Sequence, residues 1–120
     1  HELQRQGIPV AVSSDNCRDP FFGFGDHDVL EVFTQSTRIA HLDTPYGRWP
    51  QAVTLTPAEL MGLSTVKPLK VGSPADFVVC RGRTFSEVLS RSQFDRVVLR
   101  RGQAIDTTLP DYAELDAILA

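Results

Sequence analysis

At 120 residues, with a formal charge of −3, 42% hydrophobic and 22% charged side chains, the chain has ordinary globular usage, which excludes disordered and collagen-like classes. No stretch approaches the roughly 18 apolar residues that a spanning helix needs, and the mild acidity argues against nucleic acid, so neither a membrane nor a nucleic acid is expected as a partner. Two cysteines, Cys17 and Cys80, are too few for a disulfide scaffold; each reads as a small buried apolar residue in a reducing, cytoplasmic setting.

The chain opens on His1-Glu2-Leu3-Gln4-Arg5-Gln6, a polar stretch without the apolar region of a signal peptide. It reads as the end of a helix stopped by Gly7, and as a beginning inside a protein whose remaining N-terminal part is expected as a partner. Ile8-Pro9-Val10-Ala11-Val12 follows, apolar without alternation. That pattern predicts a parallel strand buried on both faces, the tail of an αβ unit. Residues 16–27 form a loop carrying Phe21, Phe22 and Phe24. A solvated loop gains nothing from three rings, so they line a pocket or plug a core.

A helix is predicted from Asp28, with Asp28 and Glu31 at capping-box spacing. Its apolar face comprises Val29, Val32, Phe33, Ser36 and Ala40, widened by Leu30 and Ile39, and His41 closes it. After a turn at Thr44-Pro45-Tyr46-Gly47, residues 49–55 read as helical. A short helix follows, with Thr56 as N-cap, Pro57 at the first position, Glu59 completing the box and Gly62 as the stop. Beyond Leu63 the texture changes. A loop at 67–74 precedes a strand at 76–80, and a brief helix is capped by Thr84 and Glu87. A hairpin comes next, 96–100 and 103–105 about Arg101-Gly102, then a final helix from Asp111 to Ala120 capped by Asp111 and Glu114. Three short strands cannot bury a core alone, so partner strands are expected from elsewhere.

Asp15 is the leading chemical candidate. It stands at the carboxyl end of the predicted parallel strand, where catalytic groups of α/β sheets and barrels gather. A carboxylate there takes a metal ion or a bound water as partner, or else caps its own loop. There is no His-x-His, no His-Glu-x-x-His and no Pro-Cys-x-x-Cys. A single Asp cannot hold a metal alone, so its co-ligands would come from earlier strands.

These residues carry a resemblance. Ile8 to Asn16, then Asp19-Pro20-Phe21-Phe22-Gly23-Phe24-Gly25, then Asp28 to Val32 resemble the last barrel strand and following loop of the cytosine deaminase-like branch of the amidohydrolase superfamily. Thr56 to Leu63 and Val71-Gly72-Ser73-Pro74-Ala75-Asp76-Phe77-Val78-Val79 resemble the segment by which that superfamily leaves its barrel. The resemblance implies an α/β fold: the C-terminal part of a (β/α)₈ TIM-like barrel over residues 1–62, part of a small β-sandwich over 63–107, and a C-terminal helix over 108–120.

It also implies a metal-dependent amidohydrolase that hydrolyses non-peptide C–N bonds, removing the amino group of cytosine or a related heterocycle as ammonia. By the same resemblance Asp15 matches the Asp that ligates a divalent metal ion, zinc or iron, and takes the proton from water. Phe21 matches an aromatic position, often Trp, beside the substrate. Asn16 stands where relatives can carry Asp and would touch the substrate or Asp15. A small heterocycle is the expected substrate partner, with a homo-oligomer open. His27 reads as a solvated loop residue. The alternatives are a non-catalytic fragment or module completing another chain, and an amidohydrolase acting on another cyclic amide or amidine.

Overall fold

A computed structural model describes residues 1–45, 47–63, 66 and 68–119. Tyr46 of the expected turn, Lys67 of the expected loop and Ala120 of the expected last helix lie outside the described residues. The chain divides into two compact units, His1–Ser73 and Pro74–Ala120. Among the described residues, no helix is long and apolar enough to cross a membrane.

The first unit begins with α1 (Glu2–Arg5). Gly7, at φ +77°, ends it as predicted: Gly7 N–H donates to Gln4 O at 3.0 Å and Ile8 N–H to Leu3 O at 3.0 Å. This paired closure of a helix end needs a left-handed residue, which glycine adopts without strain. Residues 8–12, expected as a buried strand, form none. Ile8 is exposed and Val10 and Val12 are half-buried. Beyond the Ile8 bond to α1, Val12 N–H donates to Ala52 O at 3.0 Å. A strand exists through its neighbours, and among the described residues of this unit no strand lies beside it.

α2 (Val29–Ala40) starts where the cap predicted it. Asp28 Oδ1 accepts from Leu30 N–H at 3.0 Å. Its buried residues are Phe33 and Thr37, whereas Val29 and Ile39, assigned to the apolar face, are exposed. The seam is therefore rotated from the expected one. Thr37 can be buried because its hydroxyl donates to Phe33 O one turn back, 2.8 Å. His41 closes the helix in the left-handed region.

A 3₁₀ helix (Trp49–Val53) leads through Thr54 into α3 (Leu55–Leu60). The expected cap at Thr56 is not made, because the helix starts earlier and Thr56 lies within its first turn. Thr54 sits at the N-cap, yet its hydroxyl donates backwards to Pro50 O, 2.9 Å. Pro57 is harmless there, since first-turn N–H groups have no helical acceptor. The Gly62 stop holds: Gly62 N–H donates to Glu59 O and Leu63 N–H to Ala58 O, at 3.1 and 2.8 Å. The 3₁₀ helix packs on both α2 and α3. The core of the unit is Phe33, Leu42, Trp49, Ala52 and Ala58.

The second unit is a three-stranded antiparallel sheet in the order β1 (Phe77–Val79), β2 (Val97–Arg100), β3 (Gln103–Ala104). Phe77 faces Leu99 across one pair and Leu99 faces Ala104 across the other. The turn joining β2 and β3 has Arg101 at φ +51° and Gly102 at φ +79°, the double left-handed turn whose twist suits a tight hairpin.

Asp76 ties that turn to the preceding strand. Its Oδ1 accepts from Arg101 N–H at 2.6 Å, its Oδ2 lies 3.6 Å from the Arg100 guanidinium, and Gly102 N–H donates to Ala75 O at 3.0 Å. Asp76→Ala is expected to cost about 1–2 kcal/mol, since a charge-assisted bond to a backbone donor is lost. Arg100→Ala should cost about 0.5 kcal/mol or less, as an exposed ion pair. Urea titration of the two variants checks the order; equal losses would remove the amide bond as the operative contact.

α4 (Phe85–Ser90) is capped as predicted by Thr84, whose hydroxyl accepts from Glu87 N–H at 3.1 Å. Glu87 reaches one residue further back than a simple box would place it. It accepts from Arg83 N–H at 2.8 Å and from the Arg83 guanidinium at 3.1 Å. The Arg83 amide and guanidinium hold its carboxyl below the ordinary carboxylate range. Gly82 lies against this helix: a Cβ there would come within 2.8 Å of Val88 N. Gln93, buried, closes the far end by donating from Nε2 to Val88 O and Arg91 O at 3.0 and 3.1 Å. The last segment is a 3₁₀ helix (Tyr112–Leu115), capped by Asp111 as expected, followed by α5 (Asp116–Leu119). It is exposed throughout.

Candidate functional site

The candidate site lies between residue 13 and the start of α2. Its backbone is unusual for a loop without glycine at the key positions: Asp15, Arg18 and His27 have φ of +59°, +50° and +54°. Non-glycine residues in this region are uncommon, and Asp tolerates it better than most. Asp15 N–H donates to Ser13 Oγ at 3.4 Å. The residue is exposed, and its carboxylate has no hydrogen-bond or ion-pair partner among the described residues. Asn16 and Cys17 are half-buried.

Residues 17–26 close on themselves. Asp19 Oδ1 accepts from Phe21 N–H at 2.8 Å and Phe22 N–H at 3.0 Å, the turn that Asp side chains favour. Asp19 N–H donates to Phe22 O at 3.1 Å and Arg18 N–H to Phe24 O at 3.0 Å. The rings of Phe22 and Phe24 meet edge to face, with centroids 5.5 Å apart. Phe21 is 88% exposed and Phe24 74%. The three rings therefore do not plug the core of this unit. His27 is exposed, as expected of a solvated loop residue.

Asp15 and Asn16 thus stand just before the self-braced loop that carries Phe21. A test of the metal expectation follows from the donors present. Among the described residues, no three His, Cys, Asp or Glu side chains gather into a cation site. Asp15 offers one carboxylate without a partner among the described residues, which fits a single contributed ligand and not a complete centre. Cys17 and Cys80 are both free thiols.

Two features were not read from the sequence. His1 packs its ring edge-on against Trp49, with centroids 5.1 Å apart, and its Nε2 lies 3.0 Å from His41 O. Arg18 braces the loop through groups seven and eight residues away. An arginine close before Asp-Pro is the one available signal, and its partners appear only once the loop is closed.

A profile of the amidohydrolase family matches residues 1–103. The chain is 50% identical over 119 residues to a pterin deaminase of Rhizobium rhizogenes (strain K84), covering 99% of this chain and 27% of that protein. Two crystal structures of 5-methylcytosine deaminase from Klebsiella pneumoniae share its fold, liganded with 5-fluorocytosine (TM-score 0.69) and with phosphonocytosine (TM-score 0.70). Each is 24% identical, over 92% of this chain and 27% of that one. The chain therefore spans about a quarter of the length of the relatives it matches, 27% in each case.

Proposed function

The chain belongs to the amidohydrolase family, and we propose that it forms the C-terminal portion of a metal-dependent hydrolase that deaminates an amino-substituted heterocycle. One observation carries the reading: an exposed, unpaired carboxylate at Asp15, held in the left-handed region beside a self-braced loop that presents Phe21 to solvent. On this reading residues 1–62 belong to a barrel, with 8–12 as its last strand, 63–107 to a small β-sandwich, and 108–120 to a C-terminal helix. The lack of a paired strand beside 8–12 among the described residues and the exposed apolar side chains of both units suit such a partnership with the rest of the protein. Two free thiols agree with a cytoplasmic setting.

A divalent cation, zinc or iron, would lower the pKa of water to about 7 when bound. Asp15 is the ligand this chain contributes, the others lying outside it. Asp15 then accepts the proton of the attacking water. The water oxygen bonds to the ring carbon, the exocyclic C–N bond breaks, and the amine leaves as ammonia with that proton. Asn16 and Phe21 contact the substrate, Phe21 through the face of a planar ring.

Half-identity to a pterin deaminase favours a pterin over cytosine as the ring, since the likeness to 5-methylcytosine deaminase is one of fold. Ammonia release by the full-length protein, with metal content measured alongside, tests this on pterin, cytosine and other cyclic amidines. Release from pterin supports the pterin reading, release from cytosine alone overturns it, and release from none ends the deaminase reading. Phe21→Ala is expected to raise KM for the ring substrate about tenfold, the loss of one stacking contact, with no loss of stability because the ring is 88% exposed. Unchanged KM would take Phe21 out of the pocket.

A further inference from the structure

The Arg18 side chain is exposed, and nothing in the proposed chemistry uses it. Its contacts nonetheless converge on one purpose. Nε donates to Gly25 O at 3.1 Å, and Nη2 meets Asp26 Oδ1 at 3.2 Å. The same residue's N–H donates to Phe24 O at 3.0 Å. Backbone and side chain of one residue therefore grip three consecutive residues at the far end of the loop. The neck so formed is narrow: a Cβ at Gly25 would stand 3.3 Å from Cys17 Sγ. Inside it, Asp19 fixes the amides of Phe21 and Phe22.

We infer that Arg18 is a positioning residue, the clasp that closes the 18–26 loop and thereby sets where Phe21, Phe22 and Phe24 stand relative to Asp15. The inference rests on the proposed reading of Asp15 and Phe21 as parts of one pocket. An arginine suits the task because its planar fork engages a carbonyl and a carboxylate at once. A lysine carries the charge without the fork. An exposed ion pair by itself contributes little, so the effect belongs to loop order and ring placement, not to global stability. Rings held in place bind a planar substrate without the cost of ordering them first.

The test compares Arg18→Ala, Arg18→Lys and Asp26→Ala with the unsubstituted full-length protein, by amide hydrogen exchange and by steady-state kinetics on the heterocycle that it deaminates. In Arg18→Ala, exchange over residues 18–26 is expected to quicken while α2 stays unchanged, and KM to rise about tenfold with kcat altered less. Arg18→Lys should recover only part of the loss, and the double variant with Asp26→Ala should be no worse than Arg18→Ala alone. Unchanged exchange overturns the clasp. Faster exchange with an unaltered KM overturns its role in placing the rings. If the unsubstituted protein deaminates nothing, the deaminase reading fails on its own, and the exchange comparison still decides whether Arg18 closes the loop.

Discussion

Asp15→Asn in the full-length protein is expected to lower kcat about a thousandfold, the scale of a lost proton acceptor, while the fold remains intact. The substitution is close to a pure change of charge. Asn matches Asp in size and is among the few residues at ease with positive φ, so the +59° backbone at this position is not strained further. The carboxylate makes no hydrogen bond or ion pair among the described residues, so its removal orphans no partner among them. Loss of turnover would then report chemistry, and metal content should fall with it. Ammonia release and circular-dichroism melting measured together check the claim. A rate within about tenfold of the unsubstituted enzyme would remove Asp15 as the base.

Trp49→Ala is expected to have the largest effect on stability, about 3–5 kcal/mol. Trp49 is 1% exposed and opens the 3₁₀ helix that packs on both α2 and α3. Its indole N–H also donates to Thr44 O at 2.9 Å. Trp49→Phe separates the two contributions: most apolar area stays, the Thr44 carbonyl loses its donor, and the loss should be about 1–3 kcal/mol. Urea unfolding followed by far-ultraviolet circular dichroism measures both. A loss below about 1 kcal/mol for the alanine variant would mean that the void closes over and that the core does not hinge on this ring.

What could be read from the sequence follows the range of the interaction behind it. The stops at Gly7 and Gly62, the caps at Asp28, Thr84 and Asp111, and the hairpin at Arg101-Gly102 are all bonds between residues a few positions apart, and all form. The cap at Thr56 failed although its pattern was complete, because the preceding 3₁₀ helix carries the chain into the helix two residues early. The α2 seam was misjudged by hydrophobicity, since Thr37 can bury a hydroxyl that its own helix satisfies. The strand expected at 8–12 does not form among the described residues, because pairing depends on neighbours that this unit does not hold. The Gln93 closure and the His1–Trp49 contact left no mark in local pattern. At the site, the position after an apolar run pointed to Asp15, whereas Asn16 and Phe21 were named as substrate contacts only through the family resemblance. The Arg18 clasp depends on left-handed turns that an arginine does not advertise.

The lock at Asp76 has an evolutionary corollary. Its strongest grip is on a main-chain amide, a group that every residue but proline carries. Mutational drift at position 101 is therefore largely invisible to it, and asparagine or glycine there would even relieve the backbone. Selection should fall instead on the acid at 76 and on the achiral residue at 102. A strand slipped by one place would turn its side chains to the opposite face, so one side chain guards the alignment while the bend it holds is free to diversify.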